Sequence, residues 1–508
     1  MPSIRIAQAA VGLALALTEP VSAFWRMPCP GRLVLERIDP IVSPYEVSGH
    51  VHTVSGGSGF GFNTTYEQQR ASACSSCPIK DDLSAYWTPK LYYMAEDGHF
   101  EDVPQAGEGN GATGGMTVYY EQRGPDLKNL LAFPEGFRML AGDPWQRNDT
   151  GLKAAPGKAV SFVCLDYSGA TKHPQTGNMP DYNCPDGLRA QVYFPSCWNG
   201  VDMDPPDHHS HMAYPIGEYD NGVCPDSHPN QTISIFYEII YQTNLFAERW
   251  YDAAGKHPFV FAQGDRTGYG FHGDFVNGWD VEVLKNATRD CTNDSGQLSD
   301  CKYFDDLFSN EECQACKIPP MINETVTGNL TKLAGCNTPT EGPEYAPPQK
   351  CSLTPMGTAQ EYFTNVVSSL GWEYQGCAND SVVTRTLQGA NTASNSMTIE
   401  TCIDFCKGKG YSLAGLEYAS QCYCDNDYKS DNAGSRAPQP DILGDCWQPC
   451  AGNSAQVCGG AGALSVYRNC EGGACDNVLF HVNGSTTAPV ERKRHLHSSR
   501  HNHGHAKL

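Results

Sequence analysis

The chain has 508 residues, 40% apolar and only 18% charged, with 51 Gly, 34 Pro and 23 Cys. That composition excludes a coiled coil or a wholly disordered chain and leaves a globular, loop-rich, β-leaning protein of about two to four domains. With 35 basic against 57 acidic residues, the formal charge of −22 repels nucleic acid and anionic membranes and suits neutral ligands, polysaccharide among them.

Residues 1–23 carry Arg5, an apolar run (AVGLALAL) and then Val21-Ser22-Ala23, a small-x-small cleavage site. They read as a secretory signal peptide, with the mature chain starting at Phe24. No later stretch holds eighteen apolar residues in a row, so no membrane span is expected. Many cysteines behind a signal peptide mean disulfides, and their odd number leaves one thiol over. Nine N-x-Ser/Thr sequons, at Asn63, Asn148, Asn230, Asn286, Asn293, Asn323, Asn329, Asn379 and Asn483, fit a secreted or wall-located glycoprotein.

From 24 to 288 the apolar pattern is short and strand-like. Stretches such as LVLERIDPIV, MTVYYEQR, LRAQVYFPSC and QTISIFYEIIYQT are rich in Val, Ile, Phe and Tyr and are parted by turn residues. This predicts a mainly β body, an antiparallel sandwich or jelly-roll-like domain. FYEIIYQTNLFAERWYDAAG is the one stretch that competes as a helix. Residues 289–370 are cysteine-rich with proline pairs, and read as a disulfide-stapled extension and linker. Asp305–Phe308 and Glu311–Cys316 are its candidate short helices.

Residues 371–468 form a second unit with eight cysteines, enough for about four bridges in a small α+β scaffold. Its text, WEYQGCAND, then MTIETCIDFCKGKGYSLAGLEYASQCYCDN, then CWQPCAGNSAQVCGGAGALSVY, closely resembles the WSC domain. The helix expected at Met397–Gly408 puts Cys402 and Cys406 one turn apart on one face. The resemblance implies a carbohydrate-binding module for wall polymers, with Tyr374, Tyr418, Tyr423 and Trp447 as the aromatics available to stack on sugars. Residues 469–508 end in a histidine-rich tail without apolar pattern, read as disordered, with metal binding as the alternative.

Three stretches of the first body carry the chemistry. In Gly49-His50-Val51-His52, a strand would put both imidazoles on one face, able to chelate a metal or hold a glycan. In the proline-stiffened loop 195–215, His208 and His211 stand three apart with Asp207 four before His211, one face of a helical turn. In the glycine-rich stretch 264–280, Asp265, His272 and Asp274 recur, the last two on one face if extended. The expectation is one site in which His50, His52, His208, His211 and His272 hold a divalent metal, zinc or copper, with Asp207, His208, His211, Asp265, His272 and Asp274 as catalytic candidates. The same inventory serves a carboxylate pair in glycoside hydrolysis, or solvated loop side chains with no joint role. A copper brace on a terminal amine is unsupported, and there is no H-E-x-x-H, G-x-S-x-G or P-loop. The C-x-x-C pairs Cys74/Cys77 and Cys313/Cys316 point to disulfides before zinc.

These stretches, with RIDPIVSPYEVSGHVHTVSGGSGF, DDLSAYWTPKLYY, FPEGFRMLAGDP and GYGFHGDFVNGWD in order, resemble the fungal secreted family called domain of unknown function nineteen ninety-six. The resemblance implies extracellular, wall-facing biology and assigns no roles. Three functions follow: an enzyme acting on a glucan, chitin or xylan-like wall polymer and tethered by the WSC unit; a non-catalytic wall-binding or structural glycoprotein; and a secreted metal-binding protein.

Overall fold

The computed structural model describes residues 23–44, 46–109, 112–149, 159–251, 256–318, 320–322, 324–335, 337–347, 363–430, 435–438, 446, 448–460, 462–473, 475 and 477. The expected signal sequence up to residue 22, Trp447 and the histidine-rich tail beyond 477 lie outside them.

The first body is mainly β and antiparallel. The strands of its two main sheets are β1 (Phe24–Cys29), β2 (Val34–Glu36), β3 (His52–Gly56), β4 (Ala85–Pro89), β5 (Met116–Glu121), β6 (Arg138–Ala141), β7 (Val160–Cys164), β8 (Leu188–Tyr193), β9 (Ser234–Tyr241) and β10 (Gly273–Val276), and shorter strands form small sheets beside them. The two main sheets are five-stranded, β1-β5-β9-β8-β7 and β6-β10-β4-β3-β2. The sheets face each other: Tyr237 of β9 meets Tyr86 of β4 with ring centroids 5.8 Å apart, and the Tyr237 hydroxyl donates to the Asp274 carbonyl of β10 at 2.9 Å. The stretch that competed as a helix is β9, followed by a 3-10 turn at Thr243–Arg249. Period-two burial decides it, because Ile235, Tyr237, Ile239 and Tyr241 are fully buried while Phe236, Glu238 and Ile240 are less so.

The second sheet is buried on both faces, which positions the site. Along β10, Phe275 enters the sandwich core, while Asp274 and Val276 point outward. That outer face is covered by Ile38, Ile41 and Val47, and by Ile318, Met321 and Ile322 from the cysteine-rich segment. A Cys74–Cys316 disulfide and an Arg37–Glu324 pair, with both guanidinium bonds at 2.6 and 2.9 Å, hold this cover. Further along, Asn337 Nδ2 donates to the Gly49 carbonyl at 2.8 Å, and Arg147 Nε donates to Thr340 Oγ1 at 2.8 Å. Of the two short helices expected in this segment, one forms, Asn310–Ala315, with a Ser309/Glu312 capping box. Asp305–Phe308 is irregular. A longer helix, α1 (Val281–Asp290), was not anticipated. Asp280 caps it by accepting from the Glu282 and Val283 amides.

The second unit is a five-stranded sheet of β11 (Trp372–Asn379), β12 (Ala390–Ala393), β13 (Leu413–Glu417), β14 (Gln421–Asp425) and β15 (Ala463–Asn469), in the order β11-β15-β13-β14-β12. Helix α2 (Ile399–Gly408) packs on it through Cys402, Ile403 and Cys406, all fully buried. Disulfides Cys377–Cys446, Cys402–Cys422, Cys406–Cys424 and Cys450–Cys458 staple it. Neither C-x-x-C of the first body closes on itself. Cys29 pairs with Cys77 and Cys74 with Cys316, leaving Cys313 as a buried free thiol. No helix among the described residues is long and apolar enough to cross a membrane.

Candidate functional site

Three imidazoles meet at the end of the second sheet where β3 and β10 begin and β4 ends. His50 lies in the turn before β3, His52 opens that strand, and His272 precedes β10. Ring centroids are 4.3 Å apart for His50 and His52, 5.0 Å for His50 and His272, and 6.0 Å for His52 and His272. His50 Nε2 and His272 Nε2 are 3.0 Å apart. One nitrogen from each ring lies within 4.8 Å of the others. Exposure is 5%, 0% and 4%, so the group is nearly sealed. Gly142, following β6, lets it close: its φ is +83°, and a Cβ there would stand 2.5 Å from the Phe271 carbonyl oxygen and 3.0 Å from His272 Cα.

Backbone carbonyls fix two of the rings. His52 Nδ1 lies 3.0 Å from the Ile38 oxygen and His272 Nδ1 lies 2.9 Å from the Gly270 oxygen. A carbonyl only accepts, so both Nδ1 atoms carry hydrogen, and in the neutral rings both Nε2 atoms are bare lone pairs. His52 Nε2 is buried with no partner. Burial keeps all three rings neutral. It is the first cause in each case, and takes His52 down to about 4 and His272 to about 3, with His50 well below the usual imidazole range. For His50 the two neighbouring rings add to the effect, and for His272 the His52 ring does.

Two carboxyls flank the rings. Asp39 Oδ1 accepts from the Ile41 and Val42 amides, both at 3.0 Å, and burial raises its pKa. Asp274 is raised well above the usual carboxylate range by burial and then by Asp39, and its Oδ2 is buried without a partner. Trp145 sets its ring edge-on to His50, with centroids 6.0 Å apart.

The expected single cluster therefore divides. His50, His52 and His272 come together, while His208 and His211 do not join them. His208 Nδ1 bonds Asp204 Oδ1 at 2.5 Å, and His211 Nε2 donates to the Arg138 carbonyl at 2.8 Å with its ring against Phe137. Asp207 is exposed in a turn, accepting from the His209 and Ser210 amides and the Ser210 hydroxyl, which holds it down at about 2. The 207–211 stretch is an Asx-type turn rather than a helical turn, so its i, i+4 spacing aligns nothing. Asp265 is wholly buried and does structural work: it accepts from the Thr267 amide and hydroxyl and the Gly270 amide, and faces Arg147. Asp39, Trp145 and Arg147 were not singled out from the sequence. Each is a lone residue whose place is set by contacts far along the chain, although Asp39 falls in the stretch RIDPIV and Trp145 directly follows FPEGFRMLAGDP.

A cavity of about 520 Å³ lies beside this group, lined among others by Arg147, Asn178, Met179, His257, Thr267 and Tyr269. Arg147 belongs to both: it lines the cavity, and its charge acts on His50 and His272. The 265–270 loop is likewise shared. It supplies Thr267 and Tyr269 to the wall and the Gly270 carbonyl that holds His272.

In the second unit the aromatics differ. Tyr374 is a correction to the expected sugar-stacking set. It is 1% exposed and stacked on Phe363 at 5.0 Å, hence core. Tyr418 is 57% exposed with φ +48°, and the half-buried Tyr423 lies under the Arg385 guanidinium at 4.7 Å. Arg385 is itself held by Asp380 at 2.5 Å and Glu417 at 2.7 Å.

Comparison with known proteins agrees with this division. Residues 39–279 match a family model described as "Domain of unknown function (DUF1996)", and residues 374–460 match the WSC domain. A WSC domain-containing protein of Arthroderma benhamiae is 45% identical over 101 residues, 19% of this chain and 10% of the relative. Kremen protein 2 of Mus musculus is 40% identical over 103 residues, 20% of this chain and 21% of the relative. Kremen protein 1 of Xenopus laevis is 37% identical over 92 residues, 18% and 19%. The chain thus spans a tenth to about a fifth of these relatives. The WSC match supports a carbohydrate-binding or cell-surface role, and with the many disulfides it fits an extracellular protein.

Proposed function

We propose that this chain, which joins a DUF1996 domain to a WSC domain, is an exported wall protein that grips polysaccharide through the WSC unit and acts on a wall glycan beside His50, His52 and His272. One observation carries the reading: Arg147 and the 265–270 loop belong both to the cavity and to the imidazole group. Ionisable groups gathered out of water at the edge of a cavity are costly unless used, and such places are where acid–base chemistry is found. In this reading the cavity takes a short run of sugar units, with Tyr269 as the ring a pyranose packs on. Asp274, kept uncharged by burial, is the proton donor, and the neutral imidazoles are the bases or ligands. Tyr418 and Tyr423 are the sugar-facing aromatics of the WSC unit.

The test is to incubate the full chain with β-glucan, chitin and xylan, following released ends and bound protein separately. His50→Gln is expected to lower turnover by about 10²-fold or more and leave polymer binding unchanged. A second reading, a non-catalytic wall-binding glycoprotein, is favoured by the burial of the three rings. Retention on polymer with no turnover on any substrate would establish that reading in place of the first.

A further inference from the structure

We infer that His50, His52 and His272 are the ligands of one divalent transition-metal ion of the zinc or copper class, held through three imidazole nitrogens. As a cofactor for glycan chemistry the ion rests on the function proposed above. As a binding site it rests on geometry.

The first argument is convergence. Three ligand nitrogens lie within 4.8 Å of one another. Three nitrogens around one tetrahedral zinc are roughly 3.3 Å apart, from bonds of about 2.0–2.1 Å. Side-chain shifts of roughly an ångström bring one arrangement to the other.

The second is proton placement. The Ile38 and Gly270 carbonyls take the Nδ1 hydrogens of His52 and His272, leaving both Nε2 lone pairs for the centre of the group. An outer hydrogen bond that sets tautomer and ring orientation is the usual support of a metal-bound histidine. Without an ion, His50 donates to His272 at 3.0 Å, and His52 Nε2 is left as a buried acceptor with nothing to accept. Such an orphan is costly in a protein interior. One cation satisfies all three nitrogens at once.

The third is the absence of competitors. Among the described residues, the two other groupings of ligand-type side chains within the same distance are built on Cys402, Cys406 and Cys422, and on Glu373 with Cys470 and Cys475. All five cysteines are in disulfides. An all-imidazole set with no thiolate favours zinc, copper or nickel over calcium or magnesium.

The experiment uses the full chain. Protein stripped with chelator and dialysed against Zn²⁺, and separately Cu²⁺, should retain one equivalent more than His272→Asn treated identically. The five histidines of the 495–505 tail contribute equally to both proteins. A buried substitution can harm folding, so X-ray absorption on the unaltered protein at one equivalent supplies an independent reading, with three imidazoles in the first coordination shell expected. Equal metal content in two proteins of matching circular dichroism, or a shell with fewer than two imidazoles, overturns the assignment. One bound equivalent without turnover on any polymer keeps the ion and discards the glycan chemistry. Turnover by metal-free protein discards the ion as cofactor of that chemistry, and leaves the binding site to be decided by the metal content and the absorption spectrum.

Discussion

Arg147 Nε and Asp265 Oδ1 stand 3.6 Å apart, with side chains 1% and 0% exposed. The guanidinium also donates to the carbonyls of Pro144, Gln146 and Gln263, and the carboxylate gathers the Thr267 and Gly270 amides. Removing one charge leaves the other buried without compensation. Asp265→Asn is expected to cost about 3–5 kcal/mol in denaturant unfolding. Because the 265–270 loop carries the Gly270 carbonyl, it should also loosen His272. Arg147→Met with Asp265→Leu, removing both charges, should cost less than Asp265→Asn alone, and a larger loss in the double variant would refute this account.

Glu36 gives a pH signature. Its Oε2 accepts from the Met321 and Ile322 amides, yet burial outweighs them and pushes its pKa from 4.5 to about 8. The folded state thus holds the proton more tightly than the unfolded chain does. The stability this contributes is complete below about 4.5 and is lost as pH rises toward 8, by an amount on the order of a few kcal/mol. Melting temperatures between pH 5 and 8 should fall with pH in the natural protein and stay flatter in Glu36→Gln. Parallel curves would show that Glu36 is not the group responsible.

Tyr374 and Tyr418 should separate stability from binding. Tyr374→Ala opens a cavity under Phe363 and should cost about 3–5 kcal/mol. Tyr418→Gly removes an exposed ring from a left-handed backbone position, so stability should hold or rise by up to about 1 kcal/mol while retention on polymer falls. Unchanged retention would place the sugar contact elsewhere on the WSC unit.

Cys313 is 1% exposed, and burial, with Glu312 second, pushes its thiol up to about 12. Iodoacetamide at pH 8 should leave it unmodified in the folded protein and label it after unfolding without reductant. Labelling of residues 310–315 in the native state, read by peptide mass, would contradict the buried assignment.

The strands were legible because inward-facing apolar residues recur every second position, as in Ile235, Tyr237, Ile239 and Tyr241. The WSC unit was legible because its cysteine spacing leaves little freedom. At the site, the spacing of His50 and His52 and of His272 and Asp274 showed which groups share a stretch. Spacing cannot show which stretches meet, so 207–211 looked equally promising. In the folded chain Asp204 takes His208, the Arg138 carbonyl takes His211, and that loop builds its own turn. Arg147 looked like any surface arginine until Asp265 and Thr340 enclosed it. Tyr374 and Tyr418 have the same side chain, and only the fold decides which one water reaches.

Asn337 secures the turn at His50 from 288 positions further along the chain, through the Gly49 carbonyl. During synthesis, therefore, the imidazoles emerge long before the strap that will steady them. A shortened form ending near residue 288 would halt assembly at that unfinished stage. Its rings would lie open to water and to stray ions, so metal content measured on such a fragment would describe an intermediate and not the finished protein.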